Sequence, residues 1–184
     1  MIVIDETNFK PLRALILIRR DNPDDESDGI LIPKNVQTYG WRAIVLRTGP
    51  EAQKYRLNDA ILFQKEFTML PFRNRDLALT EANHVLAKLD VVENVERIIP
   101  HNKFVLIRPQ SVETKSHGIF LIDKSVPPPM IGIAIRVGGD CHEVKPEMKV
   151  WFEQNVGVNC VEDGENYKLI DESNILAMQA WQAK

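Results

Sequence analysis

The chain has 184 residues, of which 44% are hydrophobic and 27% are charged. These proportions are typical of folded domains and exclude a disordered, collagen-like or disulfide-scaffold protein. The net charge is −3, whereas proteins that bind nucleic-acid phosphates normally carry a basic surplus, so no nucleic-acid partner is expected. The apolar runs are far shorter than the roughly 20 residues that span a bilayer, so no membrane partner is expected.

The N-terminus and the cysteines bear on the cellular compartment. The sequence Met-Ile-Val-Ile-Asp-Glu-Thr contains two acids, no basic segment and no long apolar stretch, so a secretory signal is not expected. Cys141 and Cys160 are too few for a disulfide framework. These features predict a cytoplasmic protein.

The chain contains an internal repeat with an offset of 89 residues, the separation of Pro11 from Pro100. Such self-similarity determines the domain organisation. The same offset aligns four further pairs of segments, 15–19 with 104–108, 29–32 with 118–121, 47–49 with 136–138, and 61–63 with 150–152. With one or two residues inserted, 81–83 aligns with 172–174 and 85–87 with 175–177. The repeat predicts two homologous domains, residues 1–92 and 93–184, joined through the polar stretch at 90–97.

Each repeat has the pattern of a β-structure. Short runs rich in Val, Ile, Leu and aromatic residues are separated by Gly, Pro, Asp and Asn, and no segment keeps a helical period. The apolar residues of each run are nearly consecutive, whereas a strand buried on one face would alternate apolar and polar residues. Consecutive apolar residues suit strands that are packed on both faces. The sequence therefore predicts an all-β fold of two small barrels.

A long polar segment separates the first two predicted strands of each repeat, at residues 20–41 and 109–131. Loops of about 20 residues are usually functional or disordered. Each of them carries an apolar triplet at its centre, and an exposed apolar cluster usually marks a binding site. A lone triplet is explained as well by a buried strand, but its recurrence in both repeats favours binding. The candidate binding residues are Ile30, Leu31, Ile32, Ile119, Phe120 and Leu121, and Gly29 and Gly118 precede them as candidate hinges.

Several segments of the second repeat follow one another in the order of a known family's motifs. They are Val112–Ser116 with Gly118–Leu121, Gly132–Gly138, Val150–Phe152 followed by Gly157–Val158, and Tyr167–Ala177. In this order they resemble the mobile loop, the strand after it, the phenylalanine strand with its following glycine, and the closing strands of the GroES (chaperonin-10) co-chaperonins. The resemblance covers nearly all of residues 97–180 and extends more weakly, through the offset, to 8–90.

The sequence also departs from that family. The connections that follow Gly49 and Gly138 are short, so the hairpin that forms the roof of the family's dome is expected to be reduced. Asp28 and His117 stand where the family's loop has the first glycine of a pair, and Thr68 stands where the second repeat has Gly157. The tandem arrangement resembles chloroplast co-chaperonins, whereas the short roof resembles phage-encoded ones.

The resemblance implies a cap on the folding chamber of a GroEL-type chaperonin. Each triplet would dock on the chaperonin in a nucleotide-dependent manner, with an unfolded client inside the chamber. The cap would be a homo-oligomeric ring, located in the host cytoplasm for a phage protein or in an organelle stroma or matrix for a mature organellar form. Because the family ring is sevenfold, a two-barrel chain would form either two stacked layers, which we favour here, or an even-numbered ring.

Two other functional classes compete with this interpretation. A structural ring or virion assembly protein could use the same fold without binding a chaperonin. An enzyme is not expected, because no GxSxG, HExxH or GxxxxGK[ST] motif is present, and no catalytic residue or cofactor is predicted. No metal site is predicted either. Cys141-His142 with Cys160 falls short of four ligands, and the calcium-like run from Asp24 has Asn35 at its twelfth position instead of glutamate.

Overall fold

A computed structural model of the chain describes residues 8–21, 41–64, 68, 76–92, 95–110 and 130–180. These residues form twelve strands and no α-helix, as the sequence predicts. The strands are β1 (Leu15–Asp21), β2 (Trp41–Thr48), β3 (Ala60–Phe63), β4 (Leu77–Glu81), β5 (Val85–Val92), β6 (Val95–Pro100), β7 (Phe104–Gln110), β8 (Met130–Val137), β9 (Lys149–Phe152), β10 (Val158–Glu162), β11 (Glu165–Asp171) and β12 (Ile175–Gln179). Among the described residues, none lies in a helix long and apolar enough to cross a membrane.

The strands form two six-stranded antiparallel sheets. The strand orders are β4-β1-β2-β3-β5-β6 and β10-β11-β7-β8-β9-β12. Each sheet encloses its own core, which contains Ile16 and Phe63 in the first sheet and Val105 and Phe152 in the second. This arrangement is the β-barrel fold of the family that the second repeat resembles.

The strand register repeats along the chain. Ile16 pairs with Thr48 in the first sheet, and Val105 pairs with Val137 in the second, so both partners are shifted by 89 residues. Both hairpins have a bulge one residue after this pair. A bulge is a specific local feature of a strand pair, so its recurrence supports our proposal that the chain is a duplication.

The offset changes to 90 residues beyond β9, which corrects two details of the sequence alignment. Glu81 pairs with Leu15, and Asp171 pairs with Phe104, which lies 89 residues after Leu15. Glu81 therefore corresponds to Asp171 and not to Glu172. Thr68 bridges to Leu79 as Val158 pairs with Leu169, so Thr68 corresponds to Val158 and not to Gly157. Sequence identity alone misplaced both residues, because an inserted residue is visible only through the strand partners.

The connections at 49–59 and 138–148 consist of turns and contain no strand. Each begins with a glycine that lies against a backbone carbonyl of the preceding turn. A Cβ atom would lie 2.2 Å from the Arg13 oxygen at Gly49 and 2.3 Å from the Asn102 oxygen at Gly138. Only glycine fits such an approach, so the two turns are built alike.

The polar stretch at 90–97, which the sequence assigned to a linker, lies mainly in the paired strands β5 and β6. β6 follows the proposed domain boundary at residue 92 but is hydrogen-bonded into the first sheet. A further core cluster contains Leu86 and Ile98 from the first sheet together with Leu106 and Leu169 from the second. The two sheets therefore share a buried apolar junction.

Candidate functional site

The predicted binding loops start from equivalent places in the two sheets. The last residue pairs before them are Asp21 with Arg42 and Gln110 with Ile131, again 89 residues apart. Ile30, Leu31, Ile32, Ile119, Phe120, Leu121, Gly29 and Gly118 all lie in the intervening segments 22–40 and 111–129, outside the described residues. The structure therefore describes the ends of both loops and not the triplets themselves.

Both segments have the same length, 19 residues. Leu31 lies ten residues from Asp21 and ten from Trp41, and Phe120 lies ten residues from Gln110 and ten from Met130. An extended chain spans at most roughly 3.3–3.6 Å per residue. The centre of each triplet can therefore reach no more than about 36 Å from either end of its loop, and this limit is the same for both loops.

The first loop ends on a charged surface of the sheet. The Arg20 guanidinium lies 5.9 Å from the centre of the Trp41 ring. Arg42 donates two hydrogen bonds, of 2.8 and 2.6 Å, to the carboxylate of Glu96 on β6. Both side chains of this ion pair are more than one-third exposed, so it adds little stability. It does connect the start of β2, where the loop ends, to the β5–β6 hairpin.

The second loop ends on a more apolar part of its sheet. Met130 packs against the core of the second sheet. Gly132 allows β8 to approach β7 closely, because a Cβ atom there would lie 2.3 Å from Cγ2 of Ile107. Lys149 and Trp151 both lie on β9, the strand next to β8, and Lys149 Nζ is 5.4 Å from the centre of the Trp151 ring. The two loop ends thus share a backbone register but differ in side-chain chemistry.

A partly buried ion pair joins β8 to β10 and is also hydrogen-bonded to Ile98 of β6. Both oxygens of Glu162 accept from Arg136, at 2.7 and 2.6 Å. Glu162 also accepts from Ile98 N at 2.7 Å, and Arg136 donates to Ile98 O at 2.8 Å. Burial alone would raise the pKa of Glu162, but the hydrogen bonds from Arg136 and Ile98 hold it below its usual value. Sequence analysis missed this pair, because charged residues in a polar hairpin are normally read as exposed.

Glu172 fixes the turn that follows β8. Its carboxylate accepts hydrogen bonds from the backbone N–H groups of His142, Glu143 and Val144, at 2.8–3.1 Å. Burial alone would raise the pKa of Glu172, but the three backbone donors have the larger effect and lower the pKa below its usual value. These hydrogen bonds therefore connect the turn after β8 to the 3-10 turn that precedes β12. No sequence motif predicts this contact.

Among the described residues, no group of three His, Cys, Asp or Glu side chains is placed to hold a metal ion. His101 stacks on Tyr55 with ring centres 5.3 Å apart, and burial, with Lys54 and Lys88 nearby, lowers its pKa. Burial raises the pKa of Cys160 to about 12. The run from Asp24, which resembles the start of a calcium loop but was not predicted to bind calcium, lies outside the described residues.

Comparison with known proteins identifies the family. Residues 97–179 match the family model described as the chaperonin 10 Kd subunit. A relative from Kosmotoga olearia, described as co-chaperonin GroES, is 33% identical over 84 residues, which are 44% of this chain and 94% of the relative. The family comprises co-chaperonins and is not a family of enzymes. The chain therefore belongs to the chaperonin-10, or GroES, family.

Proposed function

We propose that this protein caps a GroEL-type chaperonin ring through the apolar triplets of its two loops and so assists ATP-dependent protein folding. The observation that carries the proposal is the matched pair of loops. Both have the same length, both start from equivalent strand positions, and both place three large apolar residues at their centre. A purely structural ring has no need for this arrangement.

The energetics suit a reversible contact. Burial of three large apolar side chains contributes roughly 1.5–3 kcal/mol each, or about 5–9 kcal/mol per triplet. Fixing a residue of a loop costs roughly 1–2 kcal/mol, so ordering even a handful of residues offsets most of that gain. One loop should therefore bind weakly.

When one ring carries several loops, docking of the first loop makes the docking of the others intramolecular, so the ring as a whole binds tightly. Because each single loop binds weakly, the cap should detach when a nucleotide-driven change in the chaperonin withdraws the docking sites. The proposal accordingly includes a homo-oligomeric ring of this chain and an unfolded client in the closed chamber. It includes no cofactor and no catalytic residue, and it places the protein in the cytoplasm or in an organelle that contains a chaperonin.

Co-sedimentation with a purified GroEL-type chaperonin tests the proposal. The wild type should sediment with the chaperonin only when ATP or ADP is present. A variant with all six triplet residues changed to serine should lose this association. A matched control, Lys34→Ser with Lys124→Ser, changes the same loops outside the triplets and should keep it. Nucleotide-independent binding, or equal binding by the triplet variant, would favour a structural ring protein.

A further inference from the structure

His101 lies in the turn that leads from the first sheet to the second, between β6 and β7. Its backbone N–H donates to Leu86 O of β5 at 2.9 Å, and its carbonyl accepts from Phe104 N at 3.0 Å. Leu86 and Phe104 both belong to the core cluster that the two sheets share. A change at His101 therefore acts directly on the junction between the sheets.

The His101 side chain packs on Tyr55, which belongs to the connection at 49–59 of the first sheet. The two rings are nearly parallel, with centres 5.3 Å apart and an angle of 24° between their planes. Tyr55 is buried and its hydroxyl donates to Ala82 O at 3.1 Å, so the tyrosine ring is held in place. Burial also raises the pKa of Tyr55. The imidazole is therefore the member of the stack that can gain a charge near neutral pH.

A lysine is held beside this stack by a hydrogen bond. Lys54 Nζ lies 5.4 Å from the centre of the Tyr55 ring and donates to Asn102 Oδ1 at 2.6 Å. The Asn102 amide is fixed in turn, because its nitrogen donates to Val85 O at 3.3 Å. The ammonium group is thus kept next to the residue that follows His101.

The charges around the imidazole are mainly positive. They are carried by Lys54 and Asp59 of the connection at 49–59, by Lys88 of β5, and by the exposed Lys103 of its own turn. Lys88 Nζ forms an ion pair of 2.9 Å with Asp59. The neighbouring connection of the second sheet meets the turn through the backbone, where Asp140 N donates to Asn102 O at 3.0 Å. A positive charge on His101 would therefore meet ammonium groups and one carboxylate that is already paired.

The first repeat has apolar chemistry at the equivalent position. The offset of 89 residues places Leu12 on His101. It also places Val144 of the second connection on Tyr55. Neither ring of the stack is repeated, so the arrangement is specific to the junction inside the chain. Leucine carries no titratable group, and the residue at position 12 therefore indicates which substitution at His101 removes the proton without removing the apolar packing.

We infer that His101 is a pH-sensitive switch at the junction of the two sheets. When the imidazole is neutral, it packs on Tyr55 and keeps the junction closed. When it is protonated, Lys54 and Lys88 repel it and the turn loosens. Because each sheet carries one of the two loops, the switch determines how firmly the loop ends are held relative to one another.

The direction of the pH effect follows from the two forms of the junction. Burial, followed by the charges of Lys54 and Lys88, lowers the pKa of His101 in the closed form. A histidine in the open, solvated form takes up its proton near pH 6.5. The open form therefore binds the proton more tightly. The junction is fully closed above about pH 6.5 and loosens progressively as the pH falls below that value.

Hydrogen exchange of the full chain at about pH 7.5 and about pH 5.5 tests the switch. Once exchange rates are corrected for the intrinsic effect of pH, protection of the amides at 101 and 104 should fall by about two- to tenfold in acid. Tenfold is roughly the limit for a histidine that titrates near pH 6.5 when the junction is open. Amides of β9 should keep their protection, because β9 pairs with β8 and β12 and not with this turn.

Two histidine variants are compared with the wild type in this experiment. His101→Leu should show no fall in protection at positions 101 and 104. The matched control His142→Leu removes an exposed histidine and should respond to acid as the wild type does. Unchanged protection in the wild type, or an equal fall in His101→Leu, would overturn the inference.

NMR titration of the His101 imidazole gives an independent test that a merely structural role would not pass. Lys88→Gln removes a cation and releases Asp59, so the imidazole should titrate at a higher pH than in the wild type. Asp59→Asn removes the acid and should shift the titration to lower pH. Equal titration in both variants, or shifts in the reverse order, would refute the switch. Neither experiment uses a chaperonin, so both results are separate from the proposed function.

Discussion

Glu162→Gln should destabilise the protein measurably, because Glu162 links the second sheet to β6. The wild-type carboxylate accepts three hydrogen bonds of 2.6–2.7 Å, two from Arg136 and one from Ile98 N. A glutamine side chain has one acceptor oxygen and one donor group. It must therefore place its NH₂ against a donor of Arg136 or against the Ile98 N–H, and it leaves the guanidinium without a counter-charge.

The size of the effect follows from the burial of the pair. Breaking a buried ion pair by removing one partner costs about 3–5 kcal/mol. The Arg136 side chain is 26% exposed and keeps its bond to Ile98 O, so water and that carbonyl compensate part of the loss. We expect a decrease of about 2 kcal/mol in the free energy of unfolding, below the full cost of a broken buried pair.

Urea unfolding followed by circular dichroism measures this change. With an m-value of roughly 2 kcal/mol/M, the midpoint should fall by about 1 M. Glu165→Gln is the matched control, because Glu165 lies in the same hairpin, is exposed, and bonds only Tyr167 in the described contacts. Its midpoint should stay near that of the wild type. A midpoint for Glu162→Gln equal to that of the control would refute the assigned role.

Acid should remove the difference between the wild type and Glu162→Gln. The pKa of Glu162 lies below its usual value in the folded chain, while the unfolded chain takes up this proton near pH 4.3. The stabilisation is therefore complete above about pH 4.3 and disappears as the pH falls through the lower folded pKa. The two unfolding midpoints should converge in that range.

Three further predictions concern other parts of the chain. Gly138→Ala should destabilise the protein by about 1–3 kcal/mol in the same urea assay, because its Cβ would lie 2.3 Å from a backbone oxygen; an unchanged midpoint would contradict the described turn. Burial raises the pKa of both cysteine thiols, that of Cys160 to about 12, so thiol titration at pH 8 should find Cys160 unreactive and Cys141 slow until the chain unfolds. Phe120→Asp should weaken chaperonin binding more than Leu31→Asp, because the second repeat keeps the family loop more closely; equal losses or the reverse order in co-sedimentation would refute this ranking.

The sequence predicted the strands well, because strands rest on local patterns, whereas the duplication of the domain stays a prediction. Apolar runs such as that from Leu15 to Ile18 are buried strands in the structure, and the offset of 89 residues recurs in the strand register. The role of β6 was missed. Its sequence Val-Glu-Arg-Ile-Ile-Pro begins within the polar stretch at 90–97 that resembles a linker, and only the pairing with β5 shows that it completes the first sheet.

Charged residues inside the fold were not predictable from composition. Lys168 is 7% exposed, donates to Gln154 O at 2.8 Å, and lies 5.7 Å from the centre of the Phe152 ring. Burial lowers the pKa of this lysine. Such a site depends on long-range packing, and a lysine in a polar hairpin is normally taken to be exposed. The predicted triplets are a different case, since their segments lie outside the described residues and their role stays a prediction.

Refolding of a client tests the central claim most directly. A chemically denatured enzyme that does not recover spontaneously is mixed with a GroEL-type chaperonin, ATP and this protein. The wild type should restore enzyme activity, the variant with all six triplet residues changed to serine should not, and the Lys34→Ser with Lys124→Ser control should act as the wild type does. Recovery that is independent of the triplets, or no recovery with the wild type, would contradict a capping function that depends on the two loops.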